Sequence, residues 1–382
     1  MNQDATIAER HTPTQERGGD SCPASCYPAK PLTIINGDSR TALRELPDES
    51  VNCCVTSPPY WGLRNYGHPD QIGQEPTPEE YVENLRLVFA EVRRVLRKDG
   101  TCWLNLGDSF FGSWGNYSGQ NLGNGKQREI ANGSQVPNHA YDGEETMRPP
   151  TAGKHPTLKP KDLCMIPARV ALALQADGWW LRSDIIWAKQ NCMPESVTDR
   201  PTRSHEYLFL LTKSERYHYD HEAIKEPCIY DLDGTGTAAH KARQKEGAKS
   251  LPTAERHGIR PPKEDKQRGH SRRHDGFNDR WDKMEKAEQC TGMRNKRDVW
   301  TVAPANYPEA HFATYPPALI TPCILAGCPV GGLVLDPFGG SGTTGMVALE
   351  LGRRAVLVEL NPEYTKLINE RCATTPGLPL AG

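Results

Sequence analysis

The chain has 382 residues, 36% of them hydrophobic, with a formal net charge of -2 and a mean hydropathy of -0.67. That length holds one large α/β domain with an appended segment, or two domains, and the low apolar content predicts a solvated insert. No apolar run is long enough to cross a bilayer, and the N-terminus lacks a signal-peptide pattern, so a cytoplasmic location is expected.

Residues 1–30 are polar and aperiodic, which predicts a loose tail. Leu32-Thr33-Ile34-Ile35 starts the ordered part as a short strand ending in Asn36-Gly37-Asp38. Val51-Asn52-Cys53-Cys54-Val55 is the next strand, and it runs into Thr56-Ser57-Pro58-Pro59-Tyr60. Thr77-Pro78-Glu79-Glu80 combines an N-cap, a first-position proline and a capping-box glutamate. Val82, Leu85, Phe89, Val92 and Leu96 then recur at helical spacing, with Gly100 as the expected stop. Thr101 to Leu106 follows as a buried strand. Strand, crossover helix and strand in this order predict a parallel sheet covered on both faces.

The Gly/Asn-rich stretch from Gly112 to Gly153 predicts a long loop. An amphipathic helix is expected from Asp162 to Ala176, stopped by Gly178. Strands follow at Trp180–Ile186 and Glu206–Leu211, the latter a candidate hairpin with Tyr217-His218-Tyr219. From Lys241 to Arg297 there are 17 Lys or Arg against 9 Asp or Glu, a net of +8 in a chain whose total is -2. Such a run is a solvated insert or a phosphate-binding arm, and the strings Thr56–Tyr60 and Asp336–Thr344 favour the arm. The end of the chain returns to α/β texture. A helix is expected at Pro316–Ala326, a strand at Gly332–Leu335 entering Asp336, a helix at Gly342–Leu351, a strand at Ala355–Val358 ending on Glu359, and a last helix from Asn361-Pro362-Glu363.

Twelve cysteines without an export signal do not suggest a disulfide framework. Cys22-x3-Cys26 and Cys323-x4-Cys328 lack the spacing of a zinc knuckle. No metal is expected, and the thiols are expected to be reduced and mostly buried.

Two strings carry the chemistry. An exocyclic base amine is a poor nucleophile, because its lone pair is conjugated into the ring. A catalyst must hold its N–H groups while the nitrogen rehybridises. Ser57 supplies a hydroxyl acceptor and the Pro58 carbonyl a second one. Pro58 and Pro59 stiffen the loop, and Tyr60 offers a face for a base that has left the stack. Positioning and exclusion of water then do most of the catalysis. The second string, Asp336-Pro337-Phe338-Gly339-Gly340-Ser341-Gly342-Thr343-Thr344, is a Gly-rich turn between a strand and a helix, where a ligand approaches the backbone closely. Glu359 lies where a doubly wound sheet carries its ribose clamp. The spacing is neither that of a dinucleotide fingerprint nor that of a P-loop.

Together these strings resemble the DNA amino-methyltransferases acting on cytosine N4 or adenine N6, in their permuted β-class order with the Ser-Pro-Pro-Tyr loop first. The resemblance implies an α/β, Rossmann-like methyltransferase fold with a mostly parallel seven-stranded sheet, a reversed last strand and an inserted target-recognition region. It divides the chain into a tail at 1–30, a catalytic part at 31–230 with a long loop at 112–157, a basic insert at 231–299 and a cofactor-binding part at 300–375. It implies S-adenosylmethionine as cofactor, held by Asp38, Phe312, Ala313, Asp336, Pro337, Phe338, Gly340, Ser341, Gly342, Thr343 and Glu359. Ser57, Pro58, Pro59 and Tyr60 would be catalytic. Leu106-Gly107-Asp108 matches a segment beside the target base, and His311-Phe312-Ala313-Thr314-Tyr315-Pro316 one that closes the cofactor pocket. Trp187–Asn191 and Asp199-Arg200-Pro201 also fit, and His205-Glu206 is assigned no chemistry.

Expected partners are double-stranded DNA, contacted by Lys241, Arg243, Arg268, Arg272 and Arg273, and a cognate restriction endonuclease. The protein is expected to be a monomer or homodimer. Ser before Pro-Pro favours cytosine N4, with adenine N6 as the alternative. An RNA amine methyltransferase and a non-catalytic nucleic-acid-binding module remain as further readings. C5 methylation is disfavoured, since neither Pro227-Cys228 nor Pro322-Cys323 follows a strand in a catalytic setting.

Overall fold

A computed structural model describes residues 30–63, 68–112, 155–192, 195, 197–228, 292–304 and 315–373. The long loop, the N-terminal tail and most of the basic insert, with Lys241, Arg243, Arg268, Arg272 and Arg273, lie outside the described residues.

Ten strands are present among the described residues: β1 Leu32–Asn36, β2 Val51–Thr56, β3 Leu96–Leu106, β4 Trp180–Ala188, β5 His205–Thr212, β6 Glu226–Pro227, β7 Met293–Arg294, β8 Val299–Thr301, β9 Leu333–Asp336 and β10 Arg354–Glu359. The helices are α1 Ser39–Ala42, α2 Pro78–Val95, α3 Ile166–Ala176, α4 Pro317–Gly327, α5 Thr343–Glu350 and α6 Pro362–Ala373. Eight strands form one sheet in the order β1-β10-β9-β2-β3-β5-β4-β8. Only β5 runs against the rest, being antiparallel to both β3 and β4. The seven expected strands are thus joined by an eighth, the short edge strand β8, which pairs with β4 through Ile186, Trp187 and Ala188.

Side chains alternate across each strand, and the sheet uses both faces. Cys54, Leu104, Leu335 and Val356 pack on one side with Leu85, Phe89 and Val92 of α2 and Val170 and Leu174 of α3. Their chain neighbours Cys53, Val55, Trp103 and Val334 pack on the other with Ile320 and Ile324 of α4 and Val347 of α5. From β2 the chain moves through α2 to β3, and from β9 through α5 to β10, in the opposite direction along the sheet. Right-handed crossovers in opposite directions place their helices on opposite faces. They also leave a crevice at the carboxyl ends of β2 and β9, where a doubly wound sheet binds its ligand.

Several element ends differ from expectation. The helix start at Thr77 stands, since its hydroxyl accepts from Glu80 N at 3.2 Å. The helix stops at Val95, five residues before Gly100, because Leu96 is captured by pairing with Val51. Cys53 then pairs with Thr101, so residues 97–100 loop out and Gly100 packs tightly inside β3. The third helix starts at Ile166 rather than Asp162, because Lys161 and Met165 hold left-handed backbone with φ of 76° and 57°. Tyr217-His218-Tyr219 is not a hairpin strand. Its His218 N donates to Asp99 O at 2.9 Å, and the Tyr219 ring stacks on Trp103.

The basic insert has an ordered exit. β7 pairs with β6, and Arg294 and Arg297 bond Glu226 at 3.0 and 2.7 Å. Residues 293–301 therefore belong to the folded body, although 231–299 were expected to form the insert. Cys53, Cys54, Cys102, Cys164, Cys323, Cys328 and Cys372 are buried free thiols. Among the described residues no helix is long and apolar enough to cross a membrane.

Candidate active site

The crevice between the ends of β2 and β9 opens into a cleft. Ser57, Pro59, Pro337, Phe338, Gly340 and Glu359 all line it, so the two strings share one cavity. Asp38 is there too, at the end of β1. The cleft also takes in Ser39, His68, Gln71, Ile72, Asn361 and Tyr364, which the sequence reading left out. Ser39 and Asn361 stand one or two residues from Asp38 and Glu359, a proximity that could have found them. His68 to Ile72 lie in an aperiodic loop and carry no signal.

Glu359 anchors the Gly-rich loop after β9. One carboxylate oxygen accepts Gly340 N at 2.7 Å and the other Asn361 N at 2.8 Å. Burial pushes this carboxyl up to about 7, partly offset by those bonds. Asp38 caps α1 through Arg40 N at 2.8 Å and forms a fork with the Arg40 guanidinium. Burial raises its pKa, but the Arg40 bonds outweigh this and hold it below the usual carboxylate range.

Asp336 does something other than line the cleft. It is 2% exposed and accepts four bonds: from Thr56 Oγ1 at 2.6 Å, Thr344 Oγ1 at 2.6 Å, Tyr315 OH at 3.0 Å and Phe338 N at 3.0 Å. Burial pushes it up to about 6, against the pull of these donors. It ties the residue before Ser57 to the cofactor loop. Ser341, Gly342 and Thr343 also face away from the cleft. Arg371 of α6 donates to the Ser341 and Thr343 hydroxyls at 2.9 Å each, and Gly342, at φ +80°, packs against Ile368. Phe312 and Ala313 lie outside the described residues, while Tyr315 of the same string reaches Asp336.

The Ser-Pro-Pro-Tyr loop is braced from several sides. Pro58 is buried, and the Pro59 carbonyl accepts Tyr81 OH at 2.9 Å. Tyr60 lies over Gly107, where an added Cβ would stand 2.4 Å from its ring. Its hydroxyl donates to Glu206 Oε2 at 2.6 Å, with Asn105 Oδ1 at 3.0 Å as the competing acceptor, and Ser57 Oγ donates to it at 3.4 Å. Burial, and after it the Glu206 carboxylate, push the Tyr60 phenol well up. Glu206, given no role from sequence, thus faces the catalytic loop and is ion-paired with Lys189. The Asp108 side chain is nearly inaccessible and accepts Ile166 N at 2.9 Å, which starts α3. Arg200 stacks on Phe110 with 3.9 Å to the ring centroid, and Asp199 pairs with Lys161 at 2.7 Å.

The chemistry of the lining narrows the ligand. Asp38, Asp70 and Glu359 line the cleft, and among the described residues it is lined by no Lys or Arg. Phosphates would be unwelcome beside three carboxyls, whereas a neutral nucleoside carrying a cationic centre suits them. Phe338 and Ile72 supply apolar contact.

A doubly wound sheet with a Ser-Pro-Pro-Tyr loop and a phosphate-averse cofactor loop on one cleft defines the class of Rossmann-like amine methyltransferases. The family described as N6_N4_Mtase, DNA methylase, matches residues 51–370, and the chain belongs to this family of DNA methyltransferases. The Type II methyltransferase M.SmaI of Serratia marcescens is 42% identical over 341 residues, spanning 88% of this chain and 89% of that one. M.XycI of Xanthomonas campestris pv. cyanopsidis is also 42% identical, over 89% of this chain and 87% of its own. The structure of the PvuII DNA methyltransferase (cytosine-N4-specific) shares the fold at a TM-score of 0.50 and 17% identity, over 89% of this chain and 88% of that one.

Proposed function

We propose that the protein moves a methyl group from S-adenosylmethionine to the exocyclic N4 of a cytosine flipped out of duplex DNA. The observation that carries this reading is the shared cleft, lined by Ser57 together with Phe338, Gly340 and Glu359. Bound there, S-adenosylmethionine supplies an electrophilic methyl group on a sulfonium. Glu359 keeps a lone pair on each oxygen for ribose hydroxyls, beyond the two backbone N–H groups it already accepts. Phe338 packs against the ligand and helps to exclude water. Asp38 borders the adenosine half.

Ser57 Oγ and the Pro58 carbonyl accept the two N–H groups of the target amine, and Tyr60 packs beside the flipped base. Asp336, Ser341, Gly342 and Thr343 shape the cofactor loop from behind. Ser57 in place of an aspartate favours cytosine over adenine. Lys241, Arg243, Arg268, Arg272 and Arg273 of the insert meet the DNA phosphates. The kinship with Type II methyltransferases supports a cognate restriction endonuclease as partner and a cytoplasmic site of action.

Mixed-sequence DNA incubated with the protein and labelled S-adenosylmethionine, then digested to nucleosides, tests this. The expected product by mass is N4-methyldeoxycytidine. N6-methyldeoxyadenosine would reassign the base. No incorporation with cofactor bound would support a non-catalytic binding module.

A further inference from the structure

Glu206 is a carboxylate whose surroundings match no structural need of its own strand. It is the second residue of β5, and its side chain is 16% exposed. Strand-edge polarity would leave it facing water. Instead Oε1 pairs with Lys189, the residue that follows β4, and Oε2 accepts from Tyr60 OH at 2.6 Å and from Asn105 Nδ2 at 3.3 Å. Lys189 in turn lies 4.6 Å from the Trp187 ring centroid, so both members of the pair are held in place. Three side chains from separate segments, Tyr60, Asn105 and Lys189, converge on this one carboxylate.

The hydrogen bonds have a direction. A phenol has one proton, and the short bond to a charged acceptor takes it in preference to Asn105 Oδ1 at 3.0 Å. Tyr60 oxygen is therefore an acceptor toward Ser57, whose hydroxyl donates to it across 3.4 Å. That bond is long, as catalytic hydrogen bonds often are before the reactants are bound. With its proton turned inward, Ser57 presents lone pairs to the cleft. This is the polarity needed to accept an amine N–H.

We propose that Glu206 is the terminal proton acceptor of a chain running from the target amine through Ser57 and Tyr60. The inference rests on the methyl-transfer reading above. As the amine lone pair forms the new N–C bond, the C–S bond breaks and its electron pair stays on sulfur. One amine proton passes to Ser57 Oγ, the Ser57 proton to the Tyr60 oxygen, and the Tyr60 proton to Glu206 Oε2. Glu206 then returns it to water. The positive charge that arrived on sulfur leaves as that proton. Glu206 touches neither reactant, so it is a positioning residue that acts through Tyr60.

The test is the single-turnover rate of methyl transfer in the full chain, together with cofactor Kd and thermal unfolding. Glu206→Gln keeps the shape and loses the basic oxygen. It is expected to lower the rate by about a hundredfold, the low end of general acid–base effects, with Kd nearly unchanged. Glu206→Asp is expected to recover part of the loss. Tyr60→Phe leaves the Lys189–Glu206 pair intact and is expected to lose as much, and the double variant Tyr60→Phe/Glu206→Gln to lose no more than either alone. A wild-type rate in Glu206→Gln or in Tyr60→Phe overturns the relay, as does a double variant whose losses multiply. If Glu206→Gln fails to fold, Tyr60→Phe decides the matter. A wild-type protein that methylates no DNA amine overturns the methyl-transfer reading and the relay together, whereas an active wild type with unimpaired variants overturns the relay alone.

Discussion

Glu359 shows how much one buried carboxyl sets. Its ordinary value is 4.5, and burial pushes it up to about 7 in the folded chain. Below pH 4.5 it is protonated in both states and carries no penalty. Between 4.5 and about 7 the unfolded chain releases the proton while the folded one keeps it, so stability contributed by this group is lost as pH rises. Above that window the loss is constant at roughly 3 kcal/mol. Urea unfolding of wild type and Glu359→Gln should therefore show a stability difference that moves against wild type by that order from acid to neutral pH. A difference that stays flat would place the carboxyl at its ordinary value. Cofactor affinity should rise over the same window, since an ionised carboxylate is the better acceptor for ribose hydroxyls. Ser57 lines the same cleft and behaves differently. Ser57→Ala removes an acceptor for the target amine, so it should slow transfer while leaving cofactor Kd nearly unchanged. Equal loss of cofactor binding by calorimetry would sink that assignment.

Between elements, Asp336 is the clamp. Its carboxylate joins the end of β2 through Thr56, the start of α5 through Thr344 and the approach to α4 through Tyr315. Asp336→Asn turns an amide N–H2 toward at least one of these donors and should destabilise the fold by about 1–3 kcal/mol, the cost of leaving buried partners unmatched. Chemical unfolding reads this directly, and an unchanged midpoint would remove Asp336 from its structural role. The sequence singled out Asp336 as a cofactor contact but could not reveal its bonds to Thr56, Thr344 and Tyr315, because a loop string says nothing about what packs behind the loop. Elements were legible where the signal is local. Thr77, Pro78 and Glu80 announce α2 by capping chemistry alone. Its end was missed because pairing of Leu96 with Val51 depends on a strand 45 residues earlier in the chain. Glu206 was missed for the same reason. Nothing near His205-Glu206 reveals that Tyr60 and Lys189 will meet there, and only the sheet order brings β5 beside β3 and β4.

Across the whole molecule the charge is divided unevenly. The segment from Lys241 to Arg297 carries a net of +8 in a chain of net -2, so its partner should be a polyanion. Its last residues are part of the body, since Arg294 and Arg297 are held by Glu226 and β8 extends the main sheet. Deleting all of Lys241–Arg297 would therefore confuse lost DNA contacts with a damaged sheet edge. Substituting Arg268, Arg272 and Arg273 by Ala avoids this, because all three lie outside the strands that anchor the insert. Each cation that neutralises a phosphate releases a counterion, and the slope of log K against log salt is about -0.9 per contact. Loss of three contacts should make the slope shallower by about 2.7. Affinity at low salt should fall while single-turnover methylation at saturating DNA stays close to wild type, since none of the described residues lining the cleft is changed. Anisotropy titrations between about 50 and 200 mM salt measure the slope. An unchanged slope would move the phosphate contacts off these arginines and onto the folded body, where Arg200 on Phe110 and Lys161 on Asp199 are the cations to vary next.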